Sequence, residues 1–225
     1  MDPLRRQFIE FALQSGVLRF GEFTTKAGRK SPYFFNAGLF SRGSTLGRLA
    51  RFYAQTLLAA QAAGRVNFDM LFGPAYKGIT LASSTAIALA ELGHDMGFAF
   101  NRKEAKDHGE GGVIVGTPLA GRVMIVDDVI TEGLAKRESV QLIRSLGAEP
   151  AGVLIALDRR ERTGADDRLS SMSAVQAFEQ AFGVPIVAIA DFNDLIEFLD
   201  SGSPLAGPAQ PYRAAMQSYR SRYGV

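Results

Sequence analysis

Four apolar residues that stop at two carboxylates constrain this chain more than any other feature. Residues 123–135 read Val-Met-Ile-Val-Asp-Asp-Val-Ile-Thr-Glu-Gly-Leu-Ala. The run 123–126 is short, apolar and rich in β-branched residues, which predicts a fully buried strand. Asp127 and Asp128 end it, Thr131-Glu132-Gly133 form a turn, and an amphipathic segment runs to about Leu146. Strand, acidic pair, turn and helix is how open α/β sheets build a site at the carboxyl ends of their strands. Backbone amides of such a turn, backed by a helix N-terminus, cradle a phosphate. Two carboxylates beside it suit sugar hydroxyls or help to hold Mg²⁺. Ending a strand and capping a helix is the plainer role for the same aspartates, and spacing alone leaves both open.

Around this stretch strands and helices alternate. Strands are predicted at 68–73, 96–100, 151–157 and 184–190. A helix is predicted from Ser44, with Leu46, Leu49, Ala50, Tyr53 and Leu57 at helical spacing, and others over 79–92 and 173–182. Asp191 caps a further helix, with Asp194 placed to reach back in a capping box. Such alternation predicts a central parallel sheet covered by helices on both faces. The opening of the chain departs from it. Asp2 and Pro3 start a helix with Leu4, Phe8, Phe11 and Ala12 on one face, and Gly16 stops it. Two short strands, 17–25 and 33–37, flank the basic turn 26–32, so residues 1–40 are expected to form a small hood against the main sheet. The tail 201–211, rich in Pro, Gly and Ser, reads as an exposed connector, and 212–222 as a last helix. A length of 225 residues suits one domain, 1–225, with a sizeable core.

Composition removes some chemistry. The chain has no cysteine, which excludes disulfides, thiol nucleophiles and thiolate zinc sites. A net charge of +2 is too small to argue for nucleic acid, while a pI near 9.0 keeps anionic ligands in view. No apolar run approaches the ~18 residues of a membrane span. Residues 1–6 lack the apolar stretch of a signal peptide, so cytoplasm is the expected location, without a membrane partner.

Three more stretches can carry chemistry, and all fall near predicted strand ends. Phe-Gly-Pro-Ala-Tyr-Lys-Gly-Ile at 72–79 combines small residues, which let backbone approach a ligand, with Lys77 at a helix entry. Residues 101–112 are polar almost throughout and end in glycines. Such a segment is either a solvated loop or a mobile lid over an anionic ligand. Arg102, Lys103, Lys106 and His108 could together neutralise a pyrophosphate. In Ser-Pro-Tyr-Phe-Phe-Asn at 31–36, Phe34 and Phe35 must face opposite sides of a strand. One is expected to pack inward, leaving the other free to stack on a planar ligand. Each stretch alone is better explained as loop, solvated surface or core.

The acidic stretch resembles the donor-binding motif of type I phosphoribosyltransferases: four apolar residues, two acidic, two or three apolar, then Thr, a small residue, Gly and Thr or Ser. With residues 28–36, 73–78 and 101–111, the resemblance sharpens to the bacterial orotate phosphoribosyltransferase family and runs over nearly the whole chain. It implies the type I fold with a hood. It also implies transfer of ribose 5-phosphate from phosphoribosyl diphosphate to N1 of orotate, with release of pyrophosphate. Mg²⁺ would be held mainly by the donor diphosphate and waters, with no protein ligand directly assigned. By the same resemblance Lys26, Tyr76, Lys77, Arg102, Lys103, Lys106 and His108 contact the donor. Asp127 and Asp128 take its ribose hydroxyls, and the loop of Val129, Ile130, Thr131, Glu132, Gly133, Leu134 and Ala135 takes its 5′-phosphate. Phe34, Phe35, Thr131 and Arg159 hold orotate, Arg159 through the carboxylate. Lys103, Lys106, His108 and the two aspartates carry catalysis. Family members are dimers with the 101–112 loop reaching across the interface, so a homodimer with shared sites is implied.

Two positions leave the motif. Glu132 stands where a small residue is usual, and Leu134 where a hydroxyl is usual. Leu134 lacks a donor to the 5′-phosphate, and Glu132 brings like charge to it. A weakened donor site on an intact fold is the expectation. The alternatives are transfer to a different base, which leaves residues 33–36 and Arg159 unexplained, and an inactive binding or regulatory protein of the same fold.

Overall fold

The computed structural model describes residues 1–25, 28–106, 112–130, 134–166 and 168–225, and their side chains except those of 103–106 and 134–135. The chain opens with helix α1, Pro3–Gln14. Asp2 caps it by accepting the Leu4 and Arg5 amides at 2.8 and 3.1 Å, satisfying donors that the first turn leaves unpaired. Strands β1, Leu18–Thr24, and β2, Lys30–Phe35, form a separate antiparallel pair. This hairpin is not an independent body. Val17, Leu18, Tyr33 and the α1 residues Phe8 and Ile9 share one apolar core with the main sheet. Arg29 fastens its turn, donating to the Arg162 carbonyl at 3.0 Å and lying 4.8 Å from the Tyr223 ring centre.

After α2, Gly43–Ala62, comes the six-stranded sheet. Its strands are β3 (Met70–Gly73), β4 (Gly97–Lys106), β5 (Gly112–Gly116), β6 (Arg122–Val126), β7 (Glu149–Asp158) and β8 (Ile186–Asp191). The spatial order is β5-β4-β3-β6-β7-β8, parallel throughout except the edge strand β5. Connecting helices are α3 (Lys77–Glu91), α4 (Leu134–Ser145), α5 (Ala174–Phe182) and α6 (Phe192–Leu199), followed by α7 (Arg213–Tyr223). The central strands are apolar on both sides because helices cover both faces. Met124 and Val126 of β6 join the core with α2 and α3, while Val123 and Ile125 join the core with α4 and α5. All four are fully buried, worth roughly 1.5–3 kcal/mol each.

The predicted alternation of strands and helices holds, with corrections at the edges. The α2 helix starts at Gly43, with Arg42 and not Ser44 at the cap. Residues 101–106, polar enough to read as loop, continue β4 and pair with β5 at Asn101↔Ile114 and Lys106↔Gly112. Strand β5 itself was not anticipated. Edge pairing satisfies the backbone there. The tail 201–211 is not a loose connector: Ser203, Ala206 and Ala209 are buried, and residues 207–212 form a 3₁₀ turn.

Candidate active site

The order of the parallel strands reverses between β3 and β6. The β3 strand leads into α3 on one face, and β6 into α4 on the other. Their carboxyl ends therefore part and leave a crevice, which is where ligands bind in open α/β sheets. Lys77, the first residue of α3, faces the acidic pair across it. Its Nζ lies 2.6 Å from Asp128 Oδ2. The Lys77 side chain is 53% exposed and that of Asp128 only 9%, so the cation is the partner able to swing towards an arriving anion. The Asp128 Oδ1 accepts the Val129 amide at 2.9 Å.

Asp127 is held differently. Its Oδ2 lies 2.5 Å from Lys136 Nζ, and both side chains are 9% exposed. The Asp128 amide donates to its Oδ1 at 2.9 Å, and the Tyr53 hydroxyl to its carbonyl at 2.8 Å. Burial raises the Asp127 carboxyl above its ordinary pKa, with the Asp128 charge adding to the rise and Lys136 opposing it. Burial, then Asp128 and Asp127, push the Tyr53 hydroxyl well above its ordinary pKa, so Tyr53 remains a donor at neutral pH.

Two glycines permit this crowding. A Cβ on Gly73 would stand 2.0 Å from the Gly78 carbonyl oxygen, and one on Gly78 would stand 2.9 Å from that of Val126. The small side chains at these positions therefore serve the packing of α3 onto β3 and β6. The loop between the glycines contains a cis Ala75–Tyr76 peptide. Asn101 of β4 anchors it by accepting the Ala75 amide at 2.9 Å. Beside it a cleft of about 270 Å³ opens between Pro74 and Ala75, Asn101 and Arg102, and the α4 residues Glu138, Ser139 and Leu142.

At the end of β7, Arg159 donates through Nε and Nη2 to Glu161 Oε1 at 2.9 and 2.7 Å. Its guanidinium lies 5.2 Å from the Tyr33 ring centre. The two phenylalanines do face opposite ways. Phe35 packs against the core and lies 6.4 Å from Phe8, whereas Phe34 stacks on Phe23 at 5.3 Å, with Arg19 at 5.2 Å.

The structure thus joins Lys77 to Asp128 and places Arg102 at the cleft. Tyr76 is 69% exposed. Ile130 is buried in one core and Val129, partly buried, packs against the other. Lys26, His108, Thr131, Glu132 and Gly133 lie outside the described residues. Lys103 and Lys106 fall in β4, and Leu134 and Ala135 open α4, with side chains outside the description. Sequence reasoning missed Lys136, Glu161 and Asn101. A signal for Lys136 was present: with Val140 and Ile143 it forms an i, i+4, i+7 stripe, which marks a buried face.

The phosphoribosyl transferase domain model matches residues 44–186. A protein of Herminiimonas arsenicoxydans named orotate phosphoribosyltransferase is 61% identical over 225 residues, all of both chains. One of the same name from Janthinobacterium sp. (strain Marseille) is 59% identical, again over 100% of each. The solved orotate phosphoribosyltransferase of Francisella tularensis superposes with a TM-score of 0.83 at 40% identity, covering 97% of this chain and 100% of that one.

Proposed function

The chain belongs to the orotate phosphoribosyltransferase family, and we propose that its reaction takes place in the crevice between β3 and β6. The activity is transfer of ribose 5-phosphate from phosphoribosyl diphosphate to orotate, giving orotidine 5′-monophosphate and pyrophosphate in pyrimidine biosynthesis. The observation that carries the assignment of the site is the pairing of Lys77 with Asp128 where the strand order reverses.

Cleavage of the C1′–O bond develops positive charge on the sugar and negative charge on the departing pyrophosphate. Stabilising that separation needs cations on the leaving group and no covalent nucleophile. In this reading Lys77 turns from Asp128 to the diphosphate, joined by Lys26, Tyr76, Arg102, Lys103, Lys106 and His108. Asp128, released, takes the ribose hydroxyls with Asp127. The stretch 129–135, which runs into the α4 N-terminus, receives the 5′-phosphate on its amides. Phe34, Phe35 and Thr131 hold the orotate ring, and Arg159 its carboxylate through a guanidinium fork.

The donor set suits Mg²⁺ in one particular way. The carboxylates of Asp127 and Asp128 offer hard oxygens, yet each is already engaged, and no cluster of three metal-ligating side chains occurs among the described residues. That fits an ion held by the donor phosphates and water with at most one or two carboxylate contacts. Such an ion would supply charge neutralisation on the leaving group.

The same reading includes a homodimer in which the segment 101–112 closes over the neighbouring site, and a cytoplasmic location. No helix among the described residues is long and apolar enough to cross a membrane. The test is release of pyrophosphate from phosphoribosyl diphosphate with Mg²⁺, base by base. Release should depend on orotate, with uracil and adenine giving little. Equal release with another base, or none with orotate, would overturn the assignment.

A further inference from the structure

The residue that binds a substrate carboxylate must itself be aimed, and a guanidinium on a long side chain does not aim itself. Arg159 has five N–H donors on two usable edges. Glu161 occupies one edge: a single oxygen, Oε1, accepts Nε at 2.9 Å and Nη2 at 2.7 Å. The structure gives Arg159 no hydrogen-bonding partner other than Glu161 among the described residues. The other edge, Nη1 with the second hydrogen of Nη2, is left for a ligand. The Tyr33 ring lies beneath the guanidinium at 5.2 Å, and the Tyr33 hydroxyl donates to the same Oε1 at 3.2 Å.

Glu161 is in turn held firmly. It bridges to Gly224 near the end of the chain, and its carbonyl accepts the Ala174 amide at the start of α5 at 3.3 Å. Its second oxygen lies 3.9 Å from the buried Arg29 guanidinium. Between Arg159 and Glu161 the backbone of Arg160 is left-handed, with φ 49°, a conformation rare outside glycine. Asp158 Oδ1 accepts the Arg160 amide at 2.8 Å, and Asp191 pairs with its guanidinium at 3.1 Å. An unusual backbone fixed from both sides brings the two side chains together.

We propose that Glu161 is a positioning residue for recognition of the substrate carboxylate, clamping one edge of Arg159 so that the other faces orotate. This rests on the reading that Arg159 binds that carboxylate. The alternative physical role is a competitor, an internal carboxylate that orotate must displace, and it has the opposite sign in experiment. An occupied side edge beside an end edge with no partner among the described residues favours the clamp.

The test is steady-state kinetics of Glu161→Ala, Glu161→Asp and Glu161→Gln, because KM does not depend on how much of a preparation is folded. Loss of a fixed charge-assisted fork should raise KM for orotate at least about 10-fold in the Ala variant. KM for phosphoribosyl diphosphate should stay within about 2-fold. The Asp variant keeps the charge but retracts the carboxylate, so it should rise similarly and remains informative if the Ala variant does not fold. The Gln variant keeps an acceptor at the same reach and should stay within about 3-fold of the parent. An unchanged or lowered KM for orotate in the Ala and Asp variants would overturn the clamp. So would a Gln variant as impaired as the Ala variant. Arg159→Lys, measured alongside, separates the two levels. If it leaves KM for orotate unchanged, the role of Arg159 itself falls; if it raises it while Glu161→Ala does not, only the positioning role falls.

Discussion

Single residues at this site are governed by who neutralises whom in a buried place. Asp127 and Asp128 are adjacent and equally buried, yet their partners differ. Lys77 is half exposed and free to move to a ligand, whereas Lys136 is as buried as the carboxylate that it meets. Such a pair gains little over an apolar replacement of both members, but removing one member strands the other. Lys136→Met should therefore destabilise the protein by roughly 3–5 kcal/mol at pH 8, read from denaturant unfolding. The pH dependence has a definite sign. The folded pKa of Asp127 is already raised, and without Lys136 it rises further. Between the unfolded value and that raised value the folded state binds the extra proton, so stability falls as pH rises. The deficit of the variant should thus be smaller at pH 5 than at pH 8. Equal stability of the two proteins at pH 8 would mean that the pair is not formed. The sequence showed the acidic pair plainly but not its two partners. Lys77 was visible as a helix-entry charge. Lys136 hid because a lysine on an amphipathic helix reads as solvent-facing, although its position on the Val140–Ile143 stripe said otherwise.

Among the elements, legibility followed local pattern. β6, β7 and β8 and the helices α1, α3, α5 and α6 announce themselves by apolar runs, helical spacing or caps. The capping box of Asp191 and Asp194 forms as expected, with the Asp194 side chain accepting the Asp191 amide at 2.7 Å. What stayed hidden was set by neighbours. Strand β5 has only Val113, Ile114 and Val115 between glycines, too short a run to signal a strand. Its existence, and that of the polar half of β4, depends on pairing between them. The packed tail relies on small residues, Ser203, Ala206 and Ala209, which carry no periodicity. The glycines around Lys77 were legible as special positions, but their cause was not. Contact of α3 with the ends of β3 and β6 leaves no room for a Cβ. Gly78→Ala should shift α3 and with it Lys77. We expect a loss of roughly 1–3 kcal/mol in stability, together with a raised KM for the donor. A variant with unchanged stability and kinetics would show that the helix can retreat freely.

At the scale of the whole molecule, the reversal of strand order sets where the proposed site lies. The fold class and the type I architecture were legible because the apolar strands alternate with helices along the chain. The crevice was legible only through the acidic pair, since strand order is a tertiary fact. The hood was expected as a subdomain, and the hairpin shares the core of the sheet, with Tyr33 buried in that core and its ring 5.2 Å from the Arg159 guanidinium. The central claim is that Asp128 leaves Lys77 to bind the ribose of the donor in this crevice. Titration calorimetry of the wild type and of Asp128→Asn with phosphoribosyl diphosphate and Mg²⁺ tests it most directly. The substitution keeps size and removes charge. Because the Lys77 partner is largely exposed, the lost ion pair should cost no more than about 1 kcal/mol of stability. Donor affinity should nevertheless fall at least about 10-fold, equivalent to 1.4 kcal/mol. Equal affinity of the two folded proteins would contradict the account and place the donor elsewhere.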